Sequence, residues 1–277
     1  MSSSARTKLR NARRITIKVG SSTLTYDSGK PNLDRIEHLV RELADLAHSG
    51  LEVILVSSGA IAVGRARLGI DHRPKTTPEK QALAAVGQGI LMQTYEKFFA
   101  EYGLTVGQVL LTKADVDNGK RYENARNTFE TLLSYGVIPI VNENDTVATE
   151  EIEFGDNDTL SAYVAKLAKA DLLVLLSDIE GLYTSDPRQN PDAYLIPLVN
   201  EITPEIEELA SGGTGSDLGV GGMVTKIEAA RIAGEAGIPM VIASGEEPGL
   251  VKAVSAGKEV GTLFLPSEQV GKRKQEV

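Results

Sequence analysis

The sequence predicts an α/β protein in which a mainly parallel central sheet carries helices on both faces. Short runs rich in Val, Ile and Leu, such as 53–56, have the length and the continuous apolar character of strands that are covered on both sides. Longer segments with apolar residues three and four positions apart, such as 33–49, separate these runs. Because the two kinds of segment alternate along the 277 residues, we expect parallel strands joined by helical crossovers.

The individual elements follow from these patterns and from the turns between them. Predicted strands cover 15–19, 53–56, 104–111, 137–141, 172–176, 238–243 and 262–265. Predicted helices cover 33–49, the segment after Ala60, 79–102, 122–135, 159–168, 203–210, 224–236 and 248–256. The apolar stripe of 79–102 is interpreted as core, the polar stretch 146–158 as a hairpin, and 212–222 as a Gly-rich loop. One domain is expected over 14–265, between a disordered basic tail at 1–13 and a polar tail at 266–277.

Composition argues against several classes of function. Asp and Glu number 38 against 29 Lys and Arg, and the net charge of −9 disfavours a protein whose main task is to bind nucleic acid. The absence of Cys excludes disulfide bonds and thiolate chemistry, and the presence of only three His residues disfavours a His-rich metal site. No stretch approaches the ~20 apolar residues of a membrane span, so we expect a soluble, cytoplasmic protein.

Candidate site residues follow the predicted strands. In a parallel α/β sheet, ligands bind beyond the carboxyl ends of the strands. Three predicted strands lead there into small or polar residues, at 18–22, 57–60 and 142–145. Gly in such a turn lets a ligand approach the backbone, and the amide N–H groups of a following helix favour anions. One such turn could be explained by the tight turns that any fold of this class needs. Several of them at one edge of the sheet predict a binding site.

Three further segments carry polar groups that could bind a ligand. In 219–226, glycines precede Thr225-Lys226 at the start of a helix, so amide N–H groups and an ammonium could meet a phosphate. The spacing there fits neither a Walker A loop nor a dinucleotide fingerprint. Asp156-Asn157-Asp158 holds more acids than a helix cap requires, and the extra groups could orient lysines, hold Mg²⁺ through water or bind an ammonium. The segment 177–183 could pack on a purine and ribose, although alone it would be interpreted as a turn.

In their order along the chain, these motifs resemble those of the amino acid kinase family. The segments concerned are 18–21, 56–60, 142–145, 155–158, 177–183 and 221–226, and the resemblance covers about 14–265. The pair 142–145 and 155–158 is its most specific part. The resemblance implies a three-layer α/β/α sandwich whose N-terminal part binds the amino acid and whose C-terminal part binds ATP. It is strongest with members that use ATP and Mg²⁺ to phosphorylate the γ-carboxylate of L-glutamate, the first step of proline synthesis.

The resemblance also implies roles for individual residues. Lys18 and Lys226 would neutralise the transferring phosphoryl group, and Asp158 would position both ammonium groups. The implied substrate-binding residues are Ser58, Asp145, Asn157, Asn142 and Asp156. The implied ATP-binding residues are Lys18, Gly20, Ser177, Asp178, Val220, Gly221, Gly222, Met223, Val224, Thr225 and Lys226. No side chain is expected to ligate a metal directly.

Partners and alternatives complete these expectations. The resemblance implies feedback inhibition by L-proline, association with the reductase that consumes glutamyl 5-phosphate, and a homo-oligomer; no nucleic acid or membrane partner is expected. Many family members carry a C-terminal RNA-binding-like (PUA) domain, which we expect to be absent because the sequence stops at Val277. The alternatives are acetylglutamate kinase, uridylate kinase and aspartokinase within the same fold, and a nucleotide-binding regulator without catalysis.

Overall fold

A computed structural model describes residues 2–117, 119–148, 157–211 and 220–267 of the protein. Within these residues one eight-stranded sheet lies between layers of helices, which confirms the predicted α/β/α sandwich. The strands are β1 Arg14–Val19, β2 Glu52–Ser57, β3 Val106–Leu111, β4 Ile138–Glu143, β5 Leu172–Ser177, β6 Leu198–Val199, β7 Met240–Ser244 and β8 Thr262–Phe264.

The helices begin and end where capping residues and glycines stand. Asn32 Oδ1 accepts the Arg35 backbone N–H at 3.2 Å at the start of α3, and Thr76 forms a capping box with Glu79 at the start of α5. The helices are α1 Ser2–Thr7, α2 Ser21–Leu24, α3 Leu33–His48, α4 Ala60–Leu68, α5 Thr77–Glu101, α6 Lys113–Asp117, α7 Gly119–Ser134, α8 Asn157–Leu167, α9 Pro204–Ala210, α10 Val220–Glu235 and α11 Leu250–Ser255.

Most predicted elements are present, and the differences have simple causes. The short elements α2, α6 and β6 were not predicted, because two to five residues are too few to show a periodicity. Residues 157–158 belong to α8 and 220–222 to α10, so the predicted hairpin and Gly-rich loop are wrong at those positions. The remaining parts of those two predictions include 149–156 and 212–219, which lie outside the described residues.

The sheet places β1 at its centre. The strand order is β3-β4-β2-β1-β5-β7-β8-β6, and every pairing is parallel except that between β7 and β8. Lys18 lies opposite Val56 of β2 and Leu175 of β5. The carboxyl ends of β1, β2, β4, β5 and β7 therefore meet at one edge, as the alternation of strands and helices predicted.

Alternation along β1 decides which side chains face which helices. Ile15, Ile17 and Val19 are buried in the core that contains α3 and the Tyr95 face of α5. This packing confirms that the apolar stripe of α5 belongs to the core. The intervening residues of β1, including Lys18, lie on the opposite face, because successive side chains of a strand point to opposite sides of the sheet.

The N-terminal residues do not form a solvated tail. Residues 2–11 form α1 and a 3-10 turn at Lys8–Asn11, and the Arg6 side chain is fully buried. Its guanidinium donates to the backbone carbonyls of Lys258, Val260, Pro197 and Gly261 at 2.6–3.2 Å. The predicted disorder of 1–13 is therefore wrong for residues 2–13, because carbonyl oxygens at the sheet edge provide partners for a basic side chain. None of the described helices has the length and apolar character needed to span a membrane.

Candidate active site

The candidate site lies at the carboxyl edge of the sheet, around the N-terminus of α8. Lys18 reaches it from β1, Ser58 from the turn after β2, and Asn142 from the end of β4. Gly59, which follows Ser58, has a φ of 100°, a left-handed conformation that suits Gly at the start of α4. The topology thus collects residues from distant parts of the chain at one point of the edge.

Two lysines converge on a single carboxylate in this site. Lys18 Nζ lies 2.6 Å from Asp158 Oδ1, and Lys226 Nζ lies 2.9 Å from Asp158 Oδ2. The three residues are 5%, 7% and 0% exposed in the order Lys18, Lys226 and Asp158. With two positive charges and one negative charge, the cluster carries a net charge of +1 in a place shielded from water. Such a cluster attracts an anionic ligand.

The lysine charges control the protonation of Asp158. Burial acts to raise the pKa of this carboxyl, but Lys18 and Lys226, through charge and hydrogen bonds, hold it below the ordinary value of 3.8. Asp158 is therefore ionised at neutral pH and acts as a fixed negative charge between the two ammonium groups.

The first two turns of α10 add polar groups to the cluster. Thr225 Oγ1 donates to Asp158 Oδ2 at 3.1 Å, and Lys226 Nζ also donates to the carbonyl of Gly222 at 3.0 Å. These bonds place the Lys226 ammonium beside the start of its own helix. The N-terminus of a helix and an ammonium group both favour phosphate, so this end of α10 is suited to an anion.

A second network of hydrogen bonds lies on the other side of the α8 N-terminus. Asn157 Nδ2 lies 2.9 Å from Ser58 Oγ, 2.8 Å from Asn142 Oδ1 and 3.2 Å from the carbonyl of Ser57. Asn142 Nδ2 donates in turn to Gln88 Oε1 of α5 at 3.0 Å. Three of the predicted substrate-binding residues are thus joined in one amide and hydroxyl network.

Gln88 was missed by the sequence analysis. It stands in a helix whose apolar stripe dominates the pattern, and its type alone does not distinguish it from a solvated residue. A signal was present nonetheless, since Gln81, Gln88 and Tyr95 follow one another at intervals of seven residues. Polar groups at that spacing share one face of a helix.

The structure places the other predicted site residues at the same edge. Asp145 is half-buried in the turn after β4, and Gly20 precedes α2 at the end of β1. Ser177 ends β5, next to β1, and its hydroxyl donates to Asp178 Oδ1 at 3.0 Å. Met223 and Val224 lie in the first turns of α10. Asp156 and the side chain of Val220 lie outside the described residues, and Gly221 is described only as part of the α10 backbone.

Comparison with known proteins places this geometry in a family. The model of the amino acid kinase family matches residues 13–244. The chain belongs to the amino acid kinase family. Among solved structures, isopentenyl phosphate kinase is similar with a TM-score of 0.63 and 18% identity, over 91% of this chain and 99% of that one. UMP kinase from Bacillus anthracis is similar with a TM-score of 0.60 and 17% identity, over 92% and 97%. At these identities the two structures show the shared amino acid kinase fold alone.

Curated sequences provide closer relatives within the amino acid kinase family. The glutamate 5-kinase of Moorella thermoacetica is 60% identical over 263 residues, which are 95% of this chain and 69% of the relative. The glutamate 5-kinase of Clostridium acetobutylicum is 59% identical over 261 residues, which are 94% of this chain and 97% of the relative. The similarity therefore extends over nearly all of this chain.

Proposed function

We propose that the chain phosphorylates the γ-carboxylate of L-glutamate with ATP, forming L-glutamyl 5-phosphate and ADP in the first step of proline biosynthesis. The observation that carries this proposal is the buried cluster of two lysines on Asp158, directly beside the Asn157–Ser58–Asn142 network. The lysine cluster suits a phosphate, and the amide and hydroxyl network suits an amino acid. The relatives named glutamate 5-kinase, at 59–60% identity, support the choice of glutamate.

The reaction makes few demands on proton transfer. The γ-carboxyl of glutamate has an ordinary pKa of about 4.3, so at neutral pH it is already an ionised nucleophile and needs no general base. This fits a chain whose three histidines are all exposed side chains, His38, His48 and His72. The obstacle is the repulsion between the carboxylate and the polyanionic triphosphate, which positive charge and in-line positioning would overcome.

The two lysines would supply that positive charge. An ammonium group has three N–H donors, so Lys18 and Lys226 can each hold Asp158 and still reach a phosphoryl oxygen. Asp158 would act as a positioning residue that keeps both ammonium groups in place before ATP binds. Gly20, Ser177, Asp178 and the segment 220–226 would hold the rest of the nucleotide, with helix N-termini directed at its phosphates.

The amide network would hold the amino acid. Ser58 and Asn157 would contact the α-carboxylate and α-ammonium groups, and Asn142 would support Asn157. Asp145, in the turn after β4, would provide the negative charge that an α-ammonium requires. Asp156 is proposed as a further substrate contact on the resemblance alone.

Mg²⁺ is proposed as part of the bound nucleotide. Among the described residues no group of three or more His, Asp or Glu side chains could hold a metal ion, and the Asp158 carboxylate already binds two lysines. The chain therefore fits a metal that arrives on phosphate oxygens and water, as Mg²⁺ commonly does. When bound, the ion would neutralise charge on the β- and γ-phosphates.

We propose glutamate with a free amine, rather than its N-acetylated form, as the substrate. The substrate of acetylglutamate kinase has no α-ammonium for an acidic residue such as Asp145 to bind. The other expectations, namely a cytoplasmic location, a homo-oligomer, inhibition by L-proline and association with the reductase, stay predictions.

An assay of acyl phosphate formation tests the proposed function. The purified chain, with ATP and Mg²⁺, is incubated with L-glutamate, N-acetyl-L-glutamate, L-aspartate or UMP in the presence of hydroxylamine, and ADP release is followed in parallel. We expect a hydroxamate with glutamate at a rate at least tenfold above that with the other acids. Phosphorylation of UMP, faster turnover of N-acetylglutamate, or ATP binding without any turnover would each contradict the proposal.

A further inference from the structure

Helix α5 presents a polar side chain to the amino-acid half of the site at every seventh position. Seven residues are close to two helical turns, so these side chains share one face of the helix. Each forms a hydrogen bond to a strand end or the turn that follows it: Gln81 Nε2 to the Ala148 carbonyl at 3.1 Å, Gln88 Oε1 to Asn142 Nδ2 at 3.0 Å, and Tyr95 OH to Ser57 Oγ at 2.8 Å. This face of α5 forms a wall behind the proposed glutamate site.

Two glycines bring that wall close to the site. A Cβ on Gly87 would lie 1.8 Å from the carbonyl oxygen of Ala60, and one on Gly64 would lie 1.9 Å from that of Leu83. Helices α4 and α5 therefore touch through their backbones. Because α4 starts directly after the turn that carries Ser58, the crossing fixes the position of Gln88 relative to Ser58.

The direction of the hydrogen bonds is set by a backbone carbonyl. The carbonyl of Ser57 can only accept, so the Asn157 atom 3.2 Å from it must be the NH₂ group. That NH₂ group donates to Asn142 Oδ1, which leaves the Asn142 NH₂ group to donate to Gln88 Oε1. Gln88 is therefore the acceptor that ends the chain of amides.

The direction of these hydrogen bonds decides which atoms the site presents to a ligand. With its NH₂ group directed at protein oxygens, Asn157 presents its carbonyl oxygen to any ligand that reaches the amide, and this oxygen suits an ammonium. Ser58 Oγ lies 2.9 Å from the Asn157 NH₂ group, which has no lone pair to accept a hydrogen bond, so the Ser58 hydroxyl hydrogen points elsewhere and can meet a carboxylate. An ammonium acceptor next to a carboxylate donor matches the two α-groups of an unmodified amino acid.

We propose that Gln88 is a positioning residue that selects an α-amino acid with a free ammonium and a free carboxylate. The proposal deepens the function proposed above and rests on it. Without an acceptor at position 88, the Asn142 NH₂ group would lose its partner in a place that is only 4% exposed. A buried donor without a partner is costly, so the Asn142 amide would turn and Asn157 would lose its fixed orientation.

Kinetics of three single variants test the proposal. Gln88→Met keeps the length of the side chain and removes the acceptor, so KM for glutamate should rise at least tenfold, with KM for ATP within twofold of wild type. The preference for glutamate over N-acetyl-L-glutamate in kcat/KM should fall by a similar factor. Gln88→Glu restores an oxygen acceptor and should bring KM for glutamate back to within about threefold. Gln93→Met, the same substitution on the exposed side of α5, is the matched control and should change neither constant.

The possible failures can be told apart. A wild-type chain that forms no hydroxamate with glutamate would overturn the proposed function itself. An active wild type with an unchanged glutamate KM in Gln88→Met, or with equal rises in both KM values, would overturn only the role of Gln88.

A double-variant cycle decides the matter if Gln88→Met does not fold. In the single variant Asn142→Asp, Gln88 can turn its amide so that its NH₂ group donates to the new carboxylate. In the double variant Asn142→Asp with Gln88→Glu, both side chains are acceptors and no hydrogen bond can form between them. The double variant should raise KM for glutamate at least tenfold beyond the product of the single effects. A rise in KM equal to the product of the two single effects would overturn the proposal.

Discussion

Replacing Asp158 with Asn tests the electrostatics of the site with little change in shape. The carboxylate is fully buried and holds Lys18 Nζ at 2.6 Å and Lys226 Nζ at 2.9 Å. An Asn side chain has no charge, so the two ammonium groups would lie close together without a counter-charge. At a separation of about 6 Å and an effective dielectric constant of about 20, their repulsion amounts to about 3 kcal/mol.

This repulsion should appear as a loss of stability. Removing one partner of a buried ion pair costs about 3–5 kcal/mol, and a chain of this size loses about 2–4 °C in Tm per kcal/mol. We therefore expect Asp158→Asn to lower Tm at pH 7 by roughly 6–20 °C in thermal denaturation followed by circular dichroism. Inorganic phosphate should recover more of this loss in the variant than in wild type, because the anion would replace the missing negative charge.

The pH dependence of the difference in Tm tests independently whether the charge of Asp158 stabilises the fold. The folded pKa of Asp158 lies below its ordinary value of 3.8 because the lysine charges outweigh the effect of burial. Such a carboxyl stabilises the fold above its unfolded pKa, and the contribution is lost as the pH falls through the folded pKa. The difference in Tm between wild type and variant should therefore be full at neutral pH and shrink only in acid, below about pH 4.

A matched control variant distinguishes the loss of the buried Asp158 carboxylate from the loss of a carboxylate at the surface. Asp186 pairs with Arg188 at 3.0 Å at the surface, where Arg188 is 76% exposed, so Asp186→Asn should change Tm only slightly. If Asp158→Asn melts within 2 °C of wild type at pH 7, or no more than Asp186→Asn does, the electrostatic reasoning is wrong.

Further expectations concern single residues of the site and its supporting helices. Lys226→Ala should lower kcat by about 10²–10³, and wild-type turnover in the folded variant would remove Lys226 from the mechanism. Asp145→Ala should raise KM for glutamate far more than KM for ATP, and equal rises would contradict its assignment to the amino acid. Gly87→Ala should lower stability by about 1–3 kcal/mol in denaturant titrations, because the new Cβ would meet the Ala60 carbonyl; Gly89→Ala, with open space around it, is the control and should be neutral or stabilising.

Much of the fold was predictable because its signals are local. The apolar runs of β2 and β5 and the helical periodicity of α3 and α5 depend on residues that are neighbours in sequence. The short helix α2 and the two-residue strand β6 were not predictable, since four and two residues are too few to show a periodicity. The burial of Arg6 was missed because its acceptors come from residues near 197 and 260, far from it in the sequence.

The candidate site was predictable in its residue types and less so in its connections. The turns after β1, β2 and β4 identified the edge of the sheet, and the resemblance identified Lys18, Asp158 and Lys226. Their contact depends on the central position of β1 and on the face that Lys18 occupies, which follow only from the strand order. The seven-residue spacing shows that Gln88 shares a helix face with Gln81 and Tyr95, but its role depends on a partner on β4 that the sequence does not reveal.

The N-terminus of α8 explains how the two halves of the proposed reaction are held in register. Asn157 bonds to the network of Ser58 and Asn142, whereas the next residue, Asp158, bonds to Lys18 and Lys226. Adjacent Cα atoms are about 3.8 Å apart, so one peptide bond fixes the distance between the groups that would hold the amino acid and those that would hold the phosphate. An in-line transfer requires that distance to be constant, and a helix buried against the sheet provides a rigid origin for both. The positive end of the α8 dipole lies at the same point, where the carboxylate and the phosphoryl group would meet and negative charge would gather.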